Sequence, residues 1–368
     1  MTHSWIDSSA ALDALLLEHQ GAAWVAVDTE FRRRDTFYPQ VALVQLCWGE
    51  HAYLVDPLNL TSTASLKHLL GNPTQVKFVH SASEDLEVFS HWLGVLPMPL
   101  FDTQRAAALV GLGAGLSYRA LVAAFFDINL PKDETQSDWL QRPLSSKQMT
   151  YAAQDVSYLL PIGVKLLEKT QEMGRYEWAL EEGARMQPGG KAPISKFKSA
   201  YKLSGKQQCA LTAIVGWRER EARRLDRPRS WILSDKLVSA AARTVPESTQ
   251  SLAAIPDMPN GLVRRAGEAL VAEIQRTIKD LGADLSQVAP PPLAAAERKW
   301  LPLLSEQLGA IAKDLNIAPE VLMPKADLEH MIRQLANPSL PPLPAWSGWR
   351  QETVVAVLQA SLVELYRQ

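Results

Sequence analysis

The chain reads as an α/β domain, a mixed sheet flanked by helices, followed by two small all-α bundles. Three observations predict this. Apolar, β-rich runs at 23–30, 41–48 and 51–56 crowd the first sixty residues. Beyond about residue 102 the apolar spacing turns helical. Two breaks, PGGKAPISK at 188–196 and APPP at 289–292, then cut the helical remainder. Strands early, with helices interleaved and later dominant, describe a sheet covered by helices.

In order, residues 8–20 form an opening helix, capped by Ser8 or Ser9, with Leu12, Leu15 and Leu16 at helical spacing. AWVAVDTE makes the first strand, and the linker RRRDTFYPQ leads to VALVQLCW and HAYLVD, joined by a tight hairpin at Gly49 and Glu50. A helix at 62–70, a strand at 75–79, a helix at 83–93 and a short strand near 100–102 follow. The segment 127–147, with Pro131 and Pro143, is irregular. It opens into a long helix carrying Tyr151 and Asp155 to Lys169, kinked at Pro161, and a further helix at 174–186. Beyond residue 205, DRPRSWILSDKLVSAAA and NIAPEVLMPKADLEHMI share one pattern, a weak internal repeat. The expected domains are 1–190, 205–288 and 293–368.

A length of 368 residues suits two or three domains, and 47% hydrophobic with 21% charged residues suits a globular protein. The net charge of −2 excludes a wholesale basic binder. It does not exclude a nucleic-acid substrate, which needs lysines and arginines only locally. Cys47 and Cys209, far apart in apolar runs, are expected as free thiols in a reducing compartment. MTHSWIDSS lacks a basic stretch followed by an apolar one, and no run approaches the ~18 apolar residues of a membrane span. A cytoplasmic monomer without membrane association is the expectation.

The chemistry lies in acids placed in or beside apolar elements. Asp28 and Glu30, two apart on a strand, share a face ~6–7 Å apart, with Val27 and Thr29 on the other. Asp85 opens a helix two residues after Ser83; alone it fits a macrodipole contact, while Glu84 and Glu87 turn to solvent. Tyr151 and Asp155, four apart, share one helical face. That pair fits a core tyrosine bonded to an acid, or a hydroxyl that orients water beside a metal-bound carboxylate. Carboxylates gathered in apolar surroundings are costly to bury and repel one another. Hard divalent cations relieve both, and a pair of them is the usual device for cutting phosphodiesters. The seven histidines lack metal-ligand spacing, His80 being expected as a hydrogen-bonded structural residue, and no Walker A or dinucleotide fingerprint exists. Arg218, Arg220, Arg223, Arg224, Arg227 and Arg229, interleaved with Glu219, Glu221 and Asp226, are read either as ion pairs on a solvated face or as an RNA contact. Trp217 and Trp231 are expected as core anchors.

Taken together, DTEF, LVQL, HSASEDLEVF, FDTQ, SDWLQRPLS and YAAQDVSYL, in that order over roughly residues 5–190, resemble the ribonuclease D family in the Tyr-containing branch of the DEDD exonucleases. WREREARRLDRPRSWILSD resembles an HRDC domain, and the last ~70 residues a divergent second copy. The resemblance implies a ribonuclease-H-like fold and a metal-dependent 3′-5′ exoribonuclease. It would release nucleoside 5′-monophosphates from tRNA precursors and small structured RNAs with accessible 3′ ends. Asp28, Glu30, Asp85, Tyr151 and Asp155 would be catalytic. Asp28, Glu30 and Asp155 would hold one Mg2+ or Mn2+ ion, and Asp28 would bridge to a second supported by Asp85. Phe31 is read as a wedge beside the terminal base or as a core strand residue. Lys132, Arg142 and Lys147 are read as phosphate contacts or ordinary loop cations, and Gln104 enters by resemblance alone. The competing readings are a DNA 3′-5′ exonuclease using the same acids and a non-catalytic RNA-binding scaffold.

Overall fold

The computed structural model describes residues 2–131, 137–190, 192–281 and 290–367. Six strands form one sheet: β1 (Thr2–Ile6), β2 (Trp24–Arg32), β3 (Gln40–Cys47), β4 (His51–Val55), β5 (Val76–Val79) and β6 (Leu100–Asp102), in the order β1-β4-β3-β2-β5-β6. The hairpins make β2, β3 and β4 antiparallel, whereas β1 joins β4, and β5 and β6 extend from β2, in parallel. The sheet is therefore mixed, as the sequence predicts. β1 is the strand the sequence reading lacks. Its five residues, THSWI, are too short and too polar to show a period, and its edge position asks for little burial.

Strand alternation sorts the sheet's two cores. Val25 and Val27 pack with Leu12, Leu66, Leu86 and Phe89 beneath α1 (Ser9–Glu18), α2 (Ala64–Gly71) and α3 (Ser83–Leu93). Ala26, of the other parity, belongs to a cluster with Leu109, Val122, Ala152, Val156 and Leu166. Those residues come from α4 (Thr103–Leu109), α5 (Tyr118–Phe126), α6 (Ser146–Ser157) and α7 (Leu159–Glu172), which are followed by α8 (Tyr176–Arg185). The predicted kink is a break at Tyr158, three residues before Pro161. The proline has no N–H to give to Ser157, and its ring crowds that carbonyl. Gly163 lets α7 lie close on the sheet, since a Cβ there would overlap the Phe78 ring.

The chain divides into two compact units, one of residues 1–32, 40–190 and 293–368, the other of 33–39 and 191–292. The second unit contains α9 (Gly205–Leu225), α10 (Arg229–Ile232), α11 (Asp235–Thr244), α12 (Thr249–Ala253) and α13 (Asn260–Leu281) around Ile214, Trp217, Val238, Leu270 and Ile274. Ser204 and Gln207 form a capping box at the start of α9. Asp226 ends α9 in the left-handed region at φ 47°, and its carboxylate accepts from the Phe37 and Tyr38 amides at 2.9 and 3.0 Å. The Arg223 and Arg229 guanidiniums lie 4.8 and 4.6 Å from the Phe37 ring centroid.

In the first unit, α14 (Ala295–Arg298), α15 (Trp300–Leu315), α16 (Pro319–Leu322), α17 (Lys325–Ala336) and α18 (Ala356–Arg367) complete the chain. The repeat seen in sequence is a repeat of elements. α15, left-handed Asn316, α16 and α17 follow the order of α9, left-handed Asp226, α10 and α11. The sequence sets 293–368 apart as a bundle, yet Leu304, Leu308, Met331, Leu358 and Leu362 share one apolar cluster with Leu109, Leu166 and Ala179. An amphipathic pattern shows that a face is buried, not what buries it. Trp178 stacks on Trp349 at 4.5 Å, Arg350 pairs with Glu182, and Arg175 donates to the carbonyls of Leu109 and Leu315. Cys47 and Cys209 are buried free thiols. Among the described residues no helix is long and apolar enough to cross a membrane.

Candidate active site

β2 runs through the middle of the sheet, and Asp28 and Glu30 continue the parity of Ala26 where the strand leaves the core. They pair with Gln45 and Leu43, and a register shift between Glu30 and Phe31 ends the regular ladder just past them. α6 packs across β2, β3 and β4. Its start is fixed by a capping box in which Ser145 and Gln148 exchange bonds of 2.9 and 3.2 Å, so Tyr151 and Asp155 face the sheet from successive turns. The result is that Asp28, Glu30 and Asp155 each offer a carboxylate oxygen within 4.8 Å of the others. Asp85 is not part of that triple. It lies buried on the first turn of α3 beside the opposite strand face, and its Oδ1 accepts the Thr29 hydroxyl at 2.5 Å. Asp102 sets this helix start by accepting the Ala82 amide at 2.8 Å while capping α4 through the Arg105 amide at 2.9 Å.

The triple opens on a cleft of about 570 Å³, also lined by Tyr151, Gln154, Tyr118, Arg119 and His80. Its electrostatics are those of crowded, shielded acids. Burial first, then the charges of Asp85, Asp155 and Glu30, hold Asp28 well above the usual carboxylate range. Glu30 is raised in the same way by burial, Asp155 and Asp85. Burial and Asp85 bring Asp155 to about 8. Burial takes Asp85 to about 7 against the opposing bond from Thr29. Burial and the acids also raise Tyr151, so its phenol stays protonated at neutral pH. Three hard oxygen donors that resist ionising together fit a divalent cation, which would offset their mutual repulsion.

The expected substrate contacts fare differently. Phe31 pairs with Val41 beyond the register shift and does not line the cleft. Gln104 also lies off the cleft; its amide donates to the Leu116 carbonyl at 2.9 Å and so holds the turn into α5. Lys132 lies outside the described residues. Lys147 is exposed on the first turn of α6 and does not line the cleft. Arg142 corrects its reading as a phosphate contact. Its guanidinium is spent on Asp56, at 2.9 and 2.6 Å, on three carbonyls including that of Ala42, and over the Trp5 ring. Asp56 is 1% exposed, so the pair is an internal anchor.

Tyr118 and Arg119 are the site residues that the sequence reading missed. The Tyr118 hydroxyl donates to the Gln154 carbonyl at 2.8 Å, and its ring lies 5.7 Å from His80. The available signal was Ser117, an N-cap that puts the next two residues on the first turn of α5. His80 lines the cleft wall while its Nδ1 contacts the Thr103 hydroxyl at 3.0 Å, the hydrogen-bonded place expected of it. Gln45, from LVQL, is fully buried on the face of Asp28, and its side-chain amide has no partner among the described residues.

In the second unit the arginine run is largely spent on ion pairs. Arg220 meets Glu273, Arg223 and Arg229 meet Glu219, and Arg224 meets Glu221. Arg218 is buried against Asp235. Trp217 is the core anchor expected of it, but Trp231 is not. It is 61% exposed on the four-residue α10, too short a helix to turn both Trp231 and Ile232 inward.

A 3′-5′ exonuclease family profile matches residues 3–171, and an HRDC profile matches 207–274. A ribonuclease D of Pseudomonas paraeruginosa is 36% identical over 97% of both chains. That of Escherichia coli is 32% identical over 99% of both. The crystal structure of Escherichia coli RNase D, described as an exoribonuclease involved in structured RNA processing, superposes over the full length of both chains with a TM-score of 0.83 at 32% identity. The catalytic core of RRP6 from Trypanosoma brucei shares the fold, with a TM-score of 0.55 at 22% identity over 76% of this chain.

Proposed function

Because this chain belongs to the ribonuclease D family, we propose that its acid cleft is the active site of a metal-dependent 3′-5′ exoribonuclease. The observation that carries the reading is the convergence of Asp28, Glu30 and Asp155 within 4.8 Å, beside Tyr151. Asp28, Glu30 and Asp155 would hold one divalent cation, Mg2+ or Mn2+, and Asp85 with Asp28 would help to hold a second; such cations would supply a more acidic water and positive charge against the phosphate. The Thr29 hydroxyl donates to Asp85 and opposes the rise that burial imposes on its carboxyl, which favours the ionised form a cation needs. The Tyr151 phenol, kept protonated, hydrogen-bonds the attacking water and fixes its approach. The water oxygen gives up a proton to solvent and bonds to phosphorus as the bond to the 3′-oxygen of the preceding nucleotide breaks. That oxygen takes its proton from solvent, and a nucleoside 5′-monophosphate leaves. No side chain is a nucleophile, so no covalent intermediate forms.

The substrate end must be single-stranded to enter the cleft, and the 3′ trailers of tRNA precursors meet that need. Residues 1–190 carry the chemistry in this reading, 205–288 assist in holding RNA, and 293–368 serve as the second helical module. The protein works as a cytoplasmic monomer. The test is incubation with a tRNA bearing a short 3′ extension, with and without EDTA, beside single-stranded DNA. We expect 5′-monophosphates from the RNA extension, cation-dependent and abolished by Asp155→Asn. Undiminished hydrolysis by Asp155→Asn would remove the site from the reaction, and equal turnover of DNA would remove the RNA preference.

A further inference from the structure

Among the described residues, Arg119 is the one permanent cation lining the cleft. It stands on the first turn of α5, next to Tyr118, whose bond to Gln154 ties this turn to the helix that carries Asp155. Its guanidinium makes no ion pair or hydrogen bond with a described residue, and its Nε is shielded from solvent. Comparable guanidiniums elsewhere in the chain are engaged: Arg142 by Asp56, Arg175 by carbonyls, Arg350 by Glu182. The guanidinium charge is thus left without a protein counter-ion among the described residues, and its terminal nitrogens can meet an anion in the cleft by charge-assisted hydrogen bonds. Arg119 is not the counter-ion of the acid triple. Its charge acts on Tyr151, lowering its pKa against the stronger opposing effects, whereas burial and neighbouring acids govern Asp28, Glu30 and Asp155.

We propose that Arg119 binds a non-bridging oxygen of the scissile phosphate from the Tyr151 side and retains it as the 5′-phosphate of the released nucleotide. The inference rests on the reaction proposed above. Water attacks opposite the departing 3′-oxygen, so a cation beside Tyr151 faces the phosphate from the side of the nucleophile. A planar guanidinium matches the paired oxygens of a phosphate. Hydrolysis turns a monoanionic diester into a dianionic monoester, so the charge facing Arg119 rises along the reaction. A fixed donor aimed at that charge acts more strongly on the transition state than on the bound substrate.

The test uses the full-length protein with Mg2+, an oligoadenylate with a free 3′-hydroxyl, and the variants Arg119→Gln and Arg119→Lys. Turnover is measured together with the binding of AMP and of adenosine by calorimetry. We expect Arg119→Gln to lower kcat on the order of 10²-fold. It should weaken AMP about tenfold or more, the worth of one charged hydrogen bond, and leave adenosine unchanged. Lysine, or guanidinium ion added to the Gln variant, should restore part of both losses. Unaltered AMP binding by Arg119→Gln overturns the proposal, as does a wild type that binds AMP no better than adenosine. Parallel loss of AMP and adenosine, unrelieved by lysine or guanidinium, also overturns it and leaves Arg119 a role in shaping the cleft. If the wild type released no nucleotide, the reaction would fall, while the AMP and adenosine comparison would still decide what Arg119 binds.

Discussion

Asp155→Asn should stabilise the metal-free protein while abolishing its activity. Asp155 has an ordinary value of 3.8 and lies at about 8 in the fold. An acid raised on folding binds its proton more tightly in the folded state. It therefore costs nothing below the unfolded value, and the cost grows as pH climbs from 3.8 towards 8. At pH 7 roughly three units of that window have been crossed, each worth ~1.4 kcal/mol, an upper bound of ~4 kcal/mol. Asparagine keeps a buried polar group at a cost of ~1–3 kcal/mol, so we expect a net gain of ~1–3 kcal/mol. Urea unfolding in EDTA, followed by tryptophan fluorescence, reports on the site because Trp139 lies 6.0 Å from the Tyr151 ring. At pH 4.5 the relieved penalty falls to ~1 kcal/mol, so the net gain should vanish or reverse. With Mg2+ a hundredfold above its dissociation constant, the wild type should gain ~2.7 kcal/mol and the variant less, closing or reversing the order. A variant less stable than wild type in EDTA at pH 7, or an advantage that persists unchanged at pH 4.5, would refute the account of repelling acids.

Tyr151→Phe should bind RNA as the wild type does and lose ~10²-fold in turnover, read from single-turnover rates beside equilibrium binding. Arg142→Ala should leave KM for RNA unchanged but destabilise the fold by ~3–5 kcal/mol, because Asp56 is left buried without its partner; denaturant midpoints check this. Trp231→Ala should change stability by less than ~0.5 kcal/mol, whereas Trp217→Ala, in the core of the second unit, should cost ~3–5 kcal/mol.

The sheet was legible because its strands are periodic and apolar; VAVDTEF and VALVQLC announce both the strand and the face on which the acids lie. Tyr151 and Asp155 were legible because a spacing of four has one meaning on a helix. Asp85 was harder: the first turn of a helix attracts acids for reasons of its own, and only its bond to Thr29 distinguishes it. Arg142 and Trp231 misled for a shared reason. Type and local context cannot say whether an arginine on an irregular segment finds Asp56 eighty-six residues away, or whether a tryptophan lands on the outward side of a four-residue helix. Arg119 lay beside an ordinary N-cap, and its importance comes from what fails to approach it.

The cluster joining Leu304, Leu358 and Leu362 to Leu166 and Ala179 has a consequence for biosynthesis. A nascent polypeptide can lay down the sheet early, but it cannot close this interior until residues near Leu362 have left the ribosome. Until then the sheet would stand without the packing that its far partners supply. Truncated by-products of translation would carry every acid of the cleft and still lack the packing that holds α7 and α8 in place.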